Sequence, residues 1–559
     1  MALVVDVVLI AAIAAGLAIA CGWAGTFHAG PWMVKATSAH NPIAIAAAAL
    51  VIRSLAPEAP FLAVVPILAL PRRALHGWHR VHDGLLGLGG HRATQCLFAI
   101  MAASLVLKLA LAYLHPGFWT GDDVEIHEMT FARLFGHSWL AWNIRSPFYP
   151  LGFIYPFQAL VAAAGYADPA SLVLAGRSVV ATFTVATLWL TFHVARRVFA
   201  SVPVALLSVL ILATNKLHVA TGTTELPRPV AAFFVLAAFW LLTASRRDAA
   251  ACIAGSLIGV AAAMRFSEEV FLVPAVLQMC AARRWRAVLM ISVGFAVVAL
   301  TTLGAIDAVY WGQPFYSLTN VVDFTLTRRL STRGFQPWYE YVRAIPSWTN
   351  AAAIALAIYG AVSLRLWAVA GWACVPMLML SILPHKEPRY LVPILPFFAM
   401  LVSAGLWQAI VWVSTSAPTI DDRLRERAAL ILAAAVLAVL MTEPTEYVLP
   451  RGDDGIAIAR YIAANGATDG VVAEEAWNIG GRIYLSEANP LLDIDASNLR
   501  DRARLATIIR TPGVKWLVLQ EEHLRGSDCE STIAAAGFDR VVLPGASAYR
   551  VYRRRGPIA

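Results

Sequence analysis

Long apolar runs dominate this sequence, and a helix needs about 20 apolar residues to cross a bilayer. Candidate spans lie at 3–22, 42–70, 95–114, 171–195, 203–219, 229–244, 250–264, 268–282, 287–306, 351–364, 366–382, 390–413 and 428–443. Inside lipid only a helix or a closed barrel satisfies its own backbone, and these runs have helical length. The composition agrees: 59% of the 559 residues are hydrophobic and 14% are charged, against roughly 25% charged in soluble domains. A soluble globular enzyme, a disordered scaffold and a disulfide-stapled secreted module are all excluded. Five of the six cysteines (Cys21, Cys96, Cys252, Cys280, Cys374) lie in or beside apolar runs, so no disulfide framework is readable. No positive residue precedes the first run and no clear small-residue cleavage site follows it, which argues against a cleaved leader.

The net charge of +9 falls in short loops, as in polytopic membrane proteins, and does not point to nucleic acid. Arg72, Arg73, Arg80 and Arg92 form one cluster, and Arg196 with Arg197 a second. Arg246 with Arg247, then Arg283, Arg284 and Arg286, then Arg423, Arg425 and Arg427 form three more. Placing all five in the cytoplasm sends 115–170, 307–350, 383–389 and everything after about 444 to the opposite side. The expected architecture is an all-α polytopic membrane protein of about 11–13 transmembrane helices, with a C-terminal extramembrane α/β domain. Residues 1–91 hold additional spans and a basic loop, 92–443 a transmembrane catalytic region, and 444–559 the α/β domain. In the last, β-rich runs at Gly470–Val472, Trp516–Gln520 and Arg540–Leu543 alternate with helical stretches at 455–464 and 498–509.

Chemistry is concentrated in the outward segments. Gly121-Asp122-Asp123-Val124-Glu125-Ile126-His127-Glu128 sets four carboxylates and a histidine together, and one of them could serve as general base on a hydroxyl. The alternative is an N-cap and acidic first turn opening an amphipathic helix through 137. His127-Glu128 begins like a zinc-protease motif, but Phe131 stands where the second histidine belongs. His385-Lys386-Glu387-Pro388-Arg389-Tyr390 offers three basic groups that could neutralise a phosphate, or that snorkel at a helix end. Segment 307–350, with Trp338, Tyr339 and Tyr341, reads as an aromatic belt or as a surface for sugar rings. Arg265, at the outward tip of a tight hairpin, is a functional candidate because ionisable residues at membrane depth are costly. Gly84–Gly90 lacks the Lys-Ser/Thr of a nucleotide loop, and Asp493-Ile494-Asp495 reads as a strand end rather than a metal motif.

The run His385-Lys386-Glu387-Pro388-Arg389-Tyr390-Leu391-Val392-Pro393 resembles the H-K-E-x-R-[FY]-x-x-P signature of the dolichol-phosphate-mannose-dependent mannosyltransferases (glycosyltransferase family 22, GT-C fold). Ile144-Arg145-Ser146 with Tyr149-Pro150 resembles the end of that family's first outer loop. Asp307, Tyr310, Gly312, Asn320, Gly334, Pro337-Trp338, Tyr341 and Pro346 resemble its second. The likeness covers roughly 92–415. The family usually reads Asp-Glu where this chain has Asp122-Asp123, and the extra N-terminal spans and α/β tail suggest a bacterial homologue with an undecaprenyl or other polyprenol carrier.

The resemblance implies an inverting transfer from a polyprenyl-phosphate-linked sugar donor, mannose in the family, to a glycan or glycolipid acceptor. The expected setting is the lipid bilayer of a bacterial inner membrane, with the site on the periplasmic face. Asp122 or Asp123 would be the catalytic base. Glu128, Arg145, Arg265, Trp338, Tyr341, His385, Lys386, Glu387 and Arg389 would bind substrate. No cofactor is required, although Asp122-Asp123 could hold a divalent ion. The rival readings are a GT-C transferase acting on lipid A or protein, and a transporter of lipid-linked sugars, which should show repeated halves and midplane charges.

Overall fold

A computed structural model describes strands at 25–29 and 32–36 and, with short breaks, residues 90–416 and 453–555. The expected spans at 3–22, 42–70 and 428–443 and the arginines of 72–80 and 423–427 lie outside the described residues. Five described helices are long and apolar enough to cross a membrane: Arg92–Leu114, Pro169–Phe199, Pro227–Ala244, Trp285–Trp311 and Pro388–Ile410. Shorter apolar helices occupy Pro150–Ala163, Val202–Thr214, Asp248–Met264, Ala351–Ser363 and Trp367–Leu380. The most apolar window of Pro388–Ile410 is 100% buried and that of Arg92–Leu114 only 22%, so the former is the centre of the bundle and the latter its rim.

Three expected elements differ. Pro150–Ala163 falls in what reads as loop because of its two prolines: Pro150 stands in the first turn, where a missing amide costs nothing, and Pro156 follows the π turn Pro150–Ile154. The run 203–219 breaks at Asn215, which caps the short helix Lys216–Thr221 by accepting from His218 N at 3.1 Å. The run 268–282 opens as a 3-10 turn, Phe266–Phe271, and leaves only Leu272–Ala281 as helix, about 15 Å long at 1.5 Å per residue.

Close helix crossings rest on glycine. A Cβ at Gly255 of helix Asp248–Met264 would stand 2.0 Å from the Ile291 carbonyl oxygen, and one at Gly294 of Trp285–Ala299 would stand 2.0 Å from that of Cys252. Backbones therefore touch, which is how helices associate where lipid removes the hydrophobic drive. The arginine loops meet at one end of the bundle: Arg197 donates to Ala244 O at 3.2 Å and Arg284 to Arg246 O at 2.7 Å.

At the other end lies helix α1 (Gly121–Phe135), started by Thr120 in extended conformation (φ −150°) and stopped by left-handed Gly136 (φ 75°). Its apolar face, with Val124 and Phe131, joins one core with Ile456, Ile479 and Tyr484 of the C-terminal domain. That domain is a five-stranded sheet of order β4-β3-β5-β7-β6, where β1 and β2 are the strands at 25–29 and 32–36. Strands β3 (Gly470–Glu474), β4 (Leu491–Ile494) and β5 (Val514–Gln520) run parallel, and β6 (Phe538–Val541) and β7 (Tyr549–Arg554) join antiparallel. The domain is clamped to the membrane part through Asp453, whose carboxylate accepts from Gly117 N at 2.8 Å and lies 2.9 Å from His115 Nδ1.

Candidate active site

The two aspartates that open α1 are adjacent, and neighbouring helix positions point about 100° apart. Asp123, at the third position, turns inward: it is fully buried and accepts from the Trp119 and Thr120 amides, both at 3.1 Å. This is the acidic half of a capping box. Its other oxygen, Oδ1, accepts no hydrogen bond among the described residues. Asp122 turns toward the cleft, with its side chain 13% exposed.

Three guanidiniums from three distant segments meet on Asp122. Arg145, from the turn before helix Pro150–Ala163, donates to Oδ1. Arg265, just past Met264, and Arg389, in the 3-10 turn Pro388–Ile394, place nitrogens 3.3 and 3.2 Å from Oδ2. Arg145 and Arg389 are braced elsewhere as well. Arg145 Nε donates to Glu125 at 2.6 Å and its guanidinium lies 5.2 Å from the Trp142 ring centre. Arg389 pairs with Glu387 and donates to Thr120 Oγ1 at 2.8 Å. His385 Nε2 is 3.0 Å from Glu387 Oε1.

Electrostatics separate the aspartates. Burial alone would raise the Asp122 carboxyl, but Arg145, Arg265 and Arg389 override it and hold the group far below the usual carboxylate range. Asp123 is pushed up to about 7, by burial first and by the Glu225 carboxylate second. Glu225 anchors a buried network behind it: Arg177 Nε donates to Glu225 at 2.6 Å, and His127 Nε2 lies 2.9 Å from the same oxygen. Arg177 also donates to the carbonyls of His115 at 2.7 Å and Gly117 at 2.8 Å, so this network holds the turn that leads into α1. Arg228 lies under the site, 2.7 Å from Glu268 and with its guanidinium 3.8 Å from the Tyr390 ring centre.

Beyond Glu387 a cavity of about 260 Å³ opens between 336–347 and 385–388. Tyr341, His385, Lys386 and Glu387 line it. Lys386 is 3% exposed and its ammonium donates to the carbonyls of Gln336 and Leu383. Asp122, Asp123, Arg145, Arg265, His385, Lys386, Glu387, Arg389 and Tyr341 thus form one continuous region. Glu128 and Trp338 stand apart from it. Glu128 accepts from the Arg482 amide at 3.1 Å, a contact with the C-terminal domain, and burial raises its carboxyl. Trp338 is 69% exposed, edge-on to Tyr339. Among the described residues no group of three or more His, Cys, Asp or Glu could hold a metal ion, and the arginines around Asp122 make a cation unwelcome there.

Sequence reasoning missed Thr120, Arg177, Glu225 and Arg228, and it grouped Glu125 with the candidate bases without seeing its role as a partner of Arg145. That partnership was findable, since Glu125 follows Asp122 by three and shares its helical face. Arg177 interrupts the apolar run 171–195, and that alone marks a charge with a buried partner; Glu225 and Arg228 lie in the polar segment between the runs 203–219 and 229–244, where nothing local marks them.

The sequence of the Alg9-like mannosyltransferase family matches residues 122–448. No curated protein matches the chain. Among solved structures, ArnT from Cupriavidus metallidurans aligns at 14% identity and a TM-score of 0.57, covering 82% of this chain and 98% of its own. The same protein bound to undecaprenyl phosphate aligns at 13% identity and a TM-score of 0.57, with the same coverage. The oligosaccharyltransferase AglB from Archaeoglobus fulgidus, in complex with an inhibitory peptide and a dolichol-phosphate, aligns at 12% and 0.54, covering 81% of this chain and 74% of its own.

Proposed function

The chain belongs to the Alg9-like mannosyltransferase family, and from that membership we propose that it moves mannose from a polyprenyl-phosphate carrier to a hydroxyl of a glycan or glycolipid, with inversion, on the extracytoplasmic face of a bacterial inner membrane. At the coarser level it is an integral membrane glycosyltransferase of GT-C fold that uses a lipid-linked sugar. The observation that carries the finer reading is the meeting of Arg145, Arg265 and Arg389 on the Asp122 carboxylate. Such a cluster suits a phosphate leaving group beside a base, and planar guanidiniums match phosphate oxygens. The undecaprenyl phosphate of ArnT and the dolichol-phosphate of AglB support a lipid phosphate as the group held. The gathering of arginine loops at the opposite end of the bundle supports the outer face.

In this mechanism Asp122 accepts the proton of the acceptor hydroxyl as its oxygen attacks the anomeric carbon. The carbon–oxygen bond to phosphate breaks, its electron pair stays on the phosphate, and the three arginines stabilise the added charge. A carboxylate held by three guanidiniums is a weak base. A donor phosphate shares those guanidiniums, and each one it draws away raises the basicity of Asp122 as the acceptor arrives. Asp123 keeps α1 capped and its turn in place. The test is transfer of radiolabelled mannose from polyprenyl-phosphoryl mannose into a glycolipid or glycan by membranes holding the protein. Membranes that move the label to the other leaflet without transferring it would instead indicate a transporter.

A further inference from the structure

Helix α1 is held on three sides, one of which faces away from the chemistry. Gly121, Val124 and Glu128 recur three and four residues apart, so they share one face of the helix. Segment 476–484 of the C-terminal domain, which follows strand β3, covers that face. A Cβ at Gly121 would stand 3.7 Å from the Trp477 ring. One at Gly481, whose backbone is left-handed (φ 55°), would stand 2.5 Å from Val124 Cγ1 and 2.7 Å from Glu128 Oε1, so glycine is what lets the segment approach α1 there. Glu128 Oε1 in turn accepts from the Arg482 amide at 3.1 Å. The segment is anchored from behind. The Ala476 amide donates to Asp493 of β4 at 2.7 Å, and the Glu475 amide donates to the Ile494 carbonyl at 2.7 Å. A Cβ at Gly455 of helix Asp453–Asn465 would stand 2.0 Å from the Asn478 carbonyl oxygen.

The other two faces meet the reacting centre and the network behind it. Asp122 and Glu125 both bond Arg145, and His127, four residues after Asp123, reaches Glu225. Side-chain tips lie about 5–6 Å from a helix axis, so turning α1 by about 20° would carry the Asp122 carboxylate roughly 2 Å. Arg265 and Arg389 hold that carboxylate at 3.3 and 3.2 Å, contacts such a turn would break. We infer that Glu128 is a positioning residue: through the Arg482 amide it locks the rotation of α1 against the C-terminal domain and so aims Asp122. The C-terminal domain is then part of the catalytic framework, and segment 476–484 is the piece that acts on the reacting centre. The inference rests on the reading of Asp122 as the base of a transferase.

The test is a double-mutant cycle on the full-length protein, read as kcat for mannose transfer from polyprenyl-phosphoryl mannose and normalised to monodisperse protein. Glu128→Leu should lower kcat roughly 10- to 100-fold, since a misplacement of about 1 Å can cost about 10²-fold. In the Asp122→Asn background no carboxylate is left to aim, and the same change should cost less than about twofold. Glu128→Gln, whose amide oxygen can still accept from Arg482, should recover most of the lost rate. Should Glu128→Leu not give monodisperse protein, Trp477→Leu strips the indole from Gly121 and takes its place in the cycle, with the same pattern expected. An equal loss in both backgrounds overturns the inference and leaves the transferase standing, because a domain that only stabilised the fold, or a Glu128 that touched substrate, would lower both rates alike. Wild-type kcat in Glu128→Leu and Trp477→Leu overturns it as well. A near-wild-type rate in Asp122→Asn refutes the base assignment, and wild-type protein that transfers nothing refutes the transferase reading; the inference falls with either.

Discussion

Replacing each aspartate of the pair by asparagine separates base from cap. In Asp122→Asn one amide oxygen can still accept from Arg145, but the new NH₂ faces Arg265 and Arg389, which sit 3.3 and 3.2 Å from the oxygen it replaces. Donor then opposes donor, and the negative charge that holds the three arginines together is gone. Loss of a general base costs about 10²–10⁴-fold in rate, equivalent to about 2.7–5.4 kcal/mol at 1.36 kcal/mol per tenfold. Breaking a fully buried ion pair costs about 3–5 kcal/mol of stability, and a side chain 13% exposed should lose somewhat less. In Asp123→Asn the amide oxygen can accept both the Trp119 and Thr120 bonds, and its NH₂ takes the place of the unbonded Oδ1. That variant should fold and keep most of its activity. The assay is release of mannose from polyprenyl-phosphoryl mannose, to water or to acceptor, normalised to monodisperse protein from size-exclusion chromatography. A melting curve on each variant separates lost rate from lost fold. If Asp123→Asn falls a hundredfold or more while Asp122→Asn stays near wild type, the base is Asp123 and the reasoning from geometry is wrong.

Three further outcomes are expected. Asp123 is raised above its unfolded value, so its contribution to stability is complete below about pH 4 and fades as pH rises toward the folded value of about 7; wild-type melting temperature should drop over that window more than that of Asp123→Asn. Lys386→Arg and Arg389→Lys should slow transfer, since the fork and the compact ammonium place donors differently, while Arg247→Lys in the exposed loop before Asp248 should not; loss of all three proteins from the membrane alike would mean simple anchoring. Asp453→Asn weakens the clamp to His115 and Gly117 and should speed limited proteolysis of the C-terminal domain, a change that would be absent if the apolar contacts of Ile456 and Tyr484 alone held it.

Much of this protein is legible in the chain alone. Apolar length and arginine placement are local properties, and they yield membrane helices and the grouping of Arg197, Arg246 and Arg284 at one end. The strands at Gly470–Glu474 and Val514–Gln520 stand where apolar β-branched runs put them. Strand Tyr549–Arg554, five of whose six residues are arginine or tyrosine, lacks such a run and is visible only as the partner of Val514–Gln520. The motif around His385–Arg389 marks the region of the site, because a basic run beside an apolar helix needs a reason to be there.

Tertiary structure alone decided which aspartate faces the cleft. Asp122 and Asp123 are chemically identical in sequence, and they differ because one helical step sends Asp123 into a core with Glu225 and Asp122 toward Arg145, Arg265 and Arg389. Those arginines lie 23, 143 and 267 positions away along the chain, so no local pattern joins them. The same holds for Glu128, which spacing groups with the aspartates but whose direction along the helix carries it to Arg482 of the C-terminal domain. Residue type and period are written in the chain; which side chains share one desolvated space, and so which carboxylate is charged, is fixed by packing.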